Sequence, residues 1–155
     1  MKKSLLLFAL SFVLLLNAGA QTTATSKATA KPKEGVDIIH LNNDTFKSMV
    51  FNYEVEKAWK YNGSMPAIID FYADWCGPCK MLAPHLEELQ KMYKGKIQIY
   101  KVNTDQNREL AAAFGIQSLP TIVFVPMGGQ PQAAMGYRQL VDLESDVKNV
   151  LKVTK

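Results

Sequence analysis

The sequence predicts an α/β domain: one mixed, five-stranded β-sheet with helices on both faces. Three observations carry that prediction. Short β-branched runs alternate with segments of helical apolar spacing, the pattern of β-α-β crossovers. The run Ala67 to Ala73 (Ala-Ile-Ile-Asp-Phe-Tyr-Ala) is apolar on both faces, as suits a central strand covered from both sides. The last third closes with two strand-like runs around Gly128-Gly129, the pattern of a hairpin, and then one more helical segment.

Val36 to Leu41 reads as a short first strand, with Ile38 and Ile39 apolar. Asn42-Asn43-Asp44 offers N-caps, and Phe46, Val50 and Tyr53 follow at helical spacing, so the spacing predicts a helix from about 44 to 60. Asn62-Gly63-Ser64 stops it and Pro66 marks a loop. Residues 67–73 form the second strand. After it Leu82, Leu86, Leu89 and Tyr93 repeat along one helix face, with Pro84 expected to kink that helix and Gly95 to end it. Ile97 to Val102 is a third strand, Asp105 to Phe114 a short helix stopped at Gly115, and Thr121 to Val125 a fourth strand. Gln132 to Gly136 is a short edge strand. Gln139 to Val153 is a final helix, with Leu140, Leu143, Val147 and Val150 on one face. The order is βαβαβαββα.

The 155 residues bound this chain to one ordinary domain with appendages. Met1-Lys2-Lys3, the apolar run Leu5 to Leu16 and the small residues Ala18-Gly19-Ala20 read as a secretory signal peptide cleaved after Ala20. An uncleaved anchor is the alternative, but a spanning helix needs about 20 apolar residues. Gln21 to Gly35, rich in Thr, Ala, Ser and Lys, reads as a flexible tether, and residues 36–155 as the domain. Removing residues 1–20 takes two lysines and no acid, so the net charge falls from +4 to +2. That balance gives no reason to expect a nucleic-acid partner. The expected destination of the exported chain is the periplasm.

The only two cysteines, Cys76 and Cys79, lie in Trp75-Cys76-Gly77-Pro78-Cys79-Lys80, where the second strand hands over to a helix. A disulfide across two intervening residues constrains little of the unfolded chain, so a structural staple is a poor explanation. Covalent haem attachment needs histidine after the second cysteine, and Lys80 is there. A structural zinc needs four ligands, and the chain adds only His85, on the helix after the motif, and His40, far upstream. A redox pair fits best. Unpaired N–H groups and the dipole at a helix start stabilise a thiolate at Cys76, which makes it the attacking thiol. Pro78 suits the first turn. Cys79, one turn inward, is placed to resolve a mixed disulfide.

Asp70 sits mid-strand among apolar residues. It is either a general base or acid for the Cys79 proton, its pKa raised by desolvation, or a carboxylate satisfied by a structural partner. Lys101 either snorkels at a strand end or pairs with Asp70 across the sheet. Pro120 opens a strand, where proline is tolerated, and a cis bond there is open on sequence grounds. Trp75 is either an exposed contact beside the site or a half-buried surface residue.

The stretch Asp70-Phe71-Tyr72-Ala73-Asp74-Trp75-Cys76-Gly77-Pro78-Cys79-Lys80-Met81-Leu82-Ala83-Pro84 resembles the active-site segment of thioredoxins. So do Lys101-Val102-Asn103-Thr104-Asp105 and Gly115-Ile116-Gln117-Ser118-Leu119-Pro120-Thr121. The resemblance runs from about Val36 to the C-terminus. It implies the thioredoxin fold, with Cys76 as nucleophile and Cys79 as the buried resolving thiol, forming a Cys76–Cys79 redox disulfide. It implies Asp70 as the carboxylate assisting proton transfer, tuned by Lys101, and Pro120 as a cis-proline facing the cysteines. The Pro120 loop, with Leu119, would bind an extended substrate backbone, and Trp75, Gly77, Pro78 and Gly136 would line the same groove.

Three departures stand out. Tyr72 occupies a position where thioredoxins commonly have tryptophan. Residues 44–66 are longer than usual and offer extra surface near the sheet edge. The signal peptide separates the chain from the soluble NADPH-dependent flavoprotein that re-reduces cytoplasmic thioredoxins, which implies a membrane electron-transfer protein as reductant. The reading is then an exported thiol–disulfide oxidoreductase, a protein-disulfide reductase, acting as a monomer on disulfide-containing exported proteins. It needs no metal or organic cofactor. An oxidase or isomerase of the same fold, or a redox-inactive binding module on that scaffold, are the rivals.

Overall fold

A computed structural model describes residues 32–155. The expected leader, and the expected tether as far as Lys31, lie outside the described residues. Five strands and four helices follow the βαβαβαββα order: β1 Ile39–His40, α1 Asn43–Met49, β2 Ala67–Tyr72, α2 Gly77–Met92, β3 Gln98–Asn103, α3 Arg108–Ala113, β4 Thr121–Val125, β5 Gln132–Met135 and α4 Leu140–Asp146. The sheet order is β1-β3-β2-β4-β5, with β1, β3 and β2 parallel and β4 and β5 antiparallel to their neighbours.

Strand β2 is central, and its alternation divides the core in two. Ile69 and Phe71 point to one face and pack with Phe46 of α1, Tyr100, Val102, Leu110 of α3 and Val123. Ile68 points to the other, with Ile99, Ile122 and the α2 leucines Leu82, Leu86 and Leu89. Each such side chain contributes roughly 2 kcal/mol when fully buried. Asp70 and Tyr72 share the Ile68 face, so both lie under α2.

Four expected elements are shorter in the structure. The first strand is two residues long, because Lys33 to Asp37 curl into a turn, Asp37 N–H reaching Lys33 O at 2.9 Å. Helix α1 ends at Met49 rather than near 60. Asn52 draws the chain into a separate turn, accepting Glu56 N–H at its carbonyl (3.0 Å), and Asn62 N–H returns to Val50 O at 2.9 Å. Phe51, Tyr53, Trp59 and Tyr61 then pack on the core from a loop, so their apolar spacing serves a wrap, not a helix. The final helix leaves α geometry after Asp146 and continues as one π-helical turn, Val147–Leu151, closed by Lys152 in the left-handed region. Helix α3 starts at Arg108, because the Asn103 side chain and carbonyl hold residues 105–107 in a turn. Helix α2 runs as one element through Pro84, whose missing N–H leaves the Lys80 carbonyl without its helical partner.

The start of the domain is clamped at Gly35, which is buried. Its N–H donates to Gln98 Oε1 at 2.6 Å, and its carbonyl accepts from Gln90 Nε2 and from Gly95 N–H. Gln90 also donates to Ile97 O and accepts from Ile99 N–H at 2.7 Å. Gln90→Met keeps the length of the side chain and strands the Ile99 N–H. The expected cost is about 2 kcal/mol, read as a lower urea midpoint at unchanged slope, with disulfide chemistry unaffected.

Candidate active site

The end of β2 and the start of α2 place the cysteines. Cys76 is the N-cap of α2, with extended backbone, and its sulfur accepts from the Cys79 N–H at 3.2 Å. Gly77 and Pro78 occupy the first turn and are exposed. Cys76 and Cys79 are bonded, with Sγ atoms 2.08 Å and Cα atoms 5.3 Å apart. Both are almost fully buried, packed with Ala73 against Tyr72 and Leu119. On reduction, the donor that reaches Cys76 in the disulfide, together with the helix dipole, favours negative charge on that sulfur.

The opposite wall is the loop before β4. The Leu119–Pro120 bond is cis. Pro120 is buried and Leu119 half-buried. Among the described residues the Leu119 backbone has no hydrogen-bond partner, so its N–H and carbonyl are available to an extended peptide. Gly136 N–H donates to Pro120 O at 2.8 Å, and Gly136 has φ +87°, a conformation that favours glycine. Trp75 is 70% exposed yet fixed, its indole N–H donating to Asp105 Oδ2 at 2.9 Å. With Leu119 and Ser118 it borders an open groove of about 310 Å³.

Behind the cysteines, Asp70 and Lys101 are in register on β2 and β3. Asp70 is fully buried, and Lys101 Nζ lies 3.3 Å from its Oδ2. Neither carboxyl oxygen has a well-aligned hydrogen bond among the described residues. Burial pushes the Asp70 carboxyl above the ordinary carboxylate range, and the Lys101 charge pulls it back only in part. Lys101 and Cys79 line a common groove of about 260 Å³. The chain therefore gathers a disulfide at a helix N-terminus, an open groove beside free backbone groups, and a buried carboxyl paired with a lysine.

The ten residues singled out in the sequence thus fall into three groups: the helix start, the groove wall and the buried pair. His40 and His85 are engaged elsewhere, His40 near the Tyr72 hydroxyl and His85 with Nε2 2.8 Å from that of Tyr137. Sequence reasoning passed over Asp105 and Asn103. Asn103 donates to Asp74 Oδ2 and accepts the Asp105 N–H, which sets Asp105 under the Trp75 indole. A polar cluster, Asn103-Thr104-Asp105, directly after a buried strand was the available signal.

A family model described as Thioredoxin matches residues 38–149. A thioredoxin of Borreliella burgdorferi is 46% identical over 114 residues, spanning 74% of this chain and 94% of that protein. A thioredoxin of Haemophilus influenzae is 39% identical over 92 residues, 59% of this chain and 77% of the relative. The chloroplastic M-type thioredoxin of Spinacia oleracea is 36% identical over 115 residues, 74% of this chain and 56% of that protein. Among solved structures, a chloroplastic thioredoxin z superimposes with a TM-score of 0.65 at 23% identity, covering 76% of this chain and 97% of that one, a likeness of fold.

Proposed function

The chain belongs to the thioredoxin family, and from that premise we propose that it works as an exported protein-disulfide reductase. Membership makes it a thiol–disulfide oxidoreductase with Cys76 and Cys79 as its redox pair. The reading of roles follows the geometry. The reduced Cys76 thiolate attacks one sulfur of a substrate disulfide and displaces the other as a thiolate. Asp70 takes the Cys79 proton. Cys79 then attacks Cys76 Sγ and releases the second substrate sulfur, leaving Cys76–Cys79 oxidised and the substrate reduced by two electrons. Leu119 and Pro120 hold the substrate backbone, with Trp75, Gly77, Pro78 and Gly136 around it.

The observation that carries the reading is the Cys76 sulfur at the α2 N-cap, accepting the Cys79 N–H. Gly77-Pro78 between the cysteines supports the reductive direction. The leader-like residues 1–20 support export to the periplasm, where a membrane electron-transfer protein would return the electrons.

The reduction potential tests the direction. Equilibration with glutathione is expected to place it near that of thioredoxin, about −270 mV. A value near about −120 mV, that of a strong periplasmic oxidant, would instead make the protein an oxidase. The export arm is read by N-terminal sequencing of protein made with its leader, which should begin at Gln21.

A further inference from the structure

The strand register sets three titratable side chains in a row on the α2 face of the sheet. His40 on β1 is in register with Lys101 on β3, and Lys101 with Asp70 on β2. Tyr72 stands two residues along β2 from Asp70, on the same face. Its ring lies over the Lys101 ammonium, 4.4 Å from Nζ to the centroid. Its hydroxyl oxygen is 3.4 Å from His40 Nδ1, and the two rings meet edge-on with centroids 6.2 Å apart. Lys101 thus has two partners at once, a carboxylate and an aromatic face.

That second partner answers a physical difficulty. Lysine has a long, flexible stem and a strongly hydrated ammonium, so little in β3 itself keeps it turned towards a buried carboxylate. Two open grooves meet at Ala83 and Lys101. Asp37, His40, Glu87 and Lys91 line the outer one, Asp74 and Lys80 the inner one beside Cys79. The outer groove offers Lys101 both water and the competing carboxylates of Asp37 and Glu87. A cation over an aromatic face gains about 0.5–2 kcal/mol, enough to decide between such positions.

We propose that Tyr72, steadied at its outer end by His40, is a positioning residue that holds the Lys101 ammonium against the Asp70 carboxylate. Its meaning for turnover rests on the reading of Asp70 as proton acceptor, but the placement itself is testable apart from activity. The readout is the Asp70 carboxyl titration, followed by ¹³C NMR in the oxidised protein. His40, which burial and the Lys101 charge hold below the usual imidazole range, is kept in every variant.

Lys101→Met is expected to move the Asp70 titration up by about one pH unit, because it removes the nearby positive charge. Tyr72→Leu should move it in the same direction by at least half as much. Tyr72→Phe keeps the ring and loses the hydroxyl's contacts with His40 and the Asn103 side chain, and should move it by less than half the Tyr72→Leu shift. Tyr72→Leu/Lys101→Met should move it no further than Lys101→Met alone.

The sign separates the alternatives. A ring that served only as an apolar lid would, when shortened, admit water and move the titration down. A downward shift, no shift, additivity with Lys101→Met, or equal shifts for Tyr72→Leu and Tyr72→Phe would each overturn the proposal. So would a lower melting temperature with an unmoved titration. The acid limb of the pH profile for insulin reduction is measured on the same variants. If the titration moves and that limb does not, the positioning stands and the role of Asp70 in turnover falls.

Discussion

Cys76→Ser is expected to bring dithiothreitol-driven insulin reduction down to the uncatalysed rate, a loss of roughly three orders of magnitude or more. The hydroxyl is not ionised at neutral pH, and no helix dipole brings it within reach of ionisation, whereas the sulfur at the α2 N-cap is placed to carry charge. Cys79→Ala should look different. It also loses multiple turnover, but Cys76 still attacks, so one equivalent of mixed disulfide accumulates per protein. Non-reducing gels after mixing with oxidised insulin read that adduct directly. An unchanged turnover rate in Cys76→Ser would remove the nucleophile from the mechanism. An adduct equally abundant on Cys79 alone would reverse the two roles.

Asp70→Asn is expected to slow turnover near pH 7 by as much as about a hundred-fold, the usual scale of a lost general base. The loss should shrink as pH rises, because the Cys79 thiol then ionises unaided. Stability should move the other way. Burial holds the Asp70 pKa above its ordinary value of 3.8, so the folded state binds this proton more tightly than the unfolded chain. That contribution is fully present below the unfolded value and is lost as pH rises through the folded one. At neutral pH wild-type protein has therefore lost that contribution, a loss to which asparagine, with no proton to give up, is not subject. The unpaired Lys101 left behind is not a comparable cost, because the adjoining groove lets its ammonium turn to water. The melting temperature of Asp70→Asn should exceed wild type at pH 7 by about 4 °C, the shift made by about 1 kcal/mol in a small domain. The difference should vanish below about pH 4. A variant less stable than wild type at pH 7 would show that the ion pair outweighs the burial.

Where burial dictates residue type, the fold was legible in the sequence. Thr121 to Val125 reads as a strand because four of its five residues are β-branched, and that is its extent in the structure. The two-faced apolar run before the cysteines reads as the central strand for the same reason. The aromatic residues between Phe51 and Tyr61 misled, because apolar spacing records which side chains reach the core and not whether the backbone between them is helical. Asn52 and Asn62, which end that helix, act through hydrogen bonds that periodicity does not register. The π turn after Asp146 keeps Val147 and Leu151 inward, so it left no mark on the apolar pattern. The site divided likewise. Cysteine spacing is local and was legible. The cis geometry at Pro120 entered only through family resemblance. The Tyr72–Lys101–His40 arrangement depends on register across three strands, which no single stretch encodes.

The clamp at Gly35 has a practical meaning for handling the molecule. Gly35 bonds to Gly95, just past the C-terminal end of α2, while the cysteines sit at its N-terminal end. The sixteen residues of α2 lie between Cys76 and the clamp, about 24 Å along the axis. Whatever is joined upstream of Lys33, whether an affinity tag, a bead or a lipid, attaches to the domain at its far pole. Immobilised from that side, the protein presents its active-site end outward, and a column or electrode built this way leaves the approach to Cys76 open to the solution.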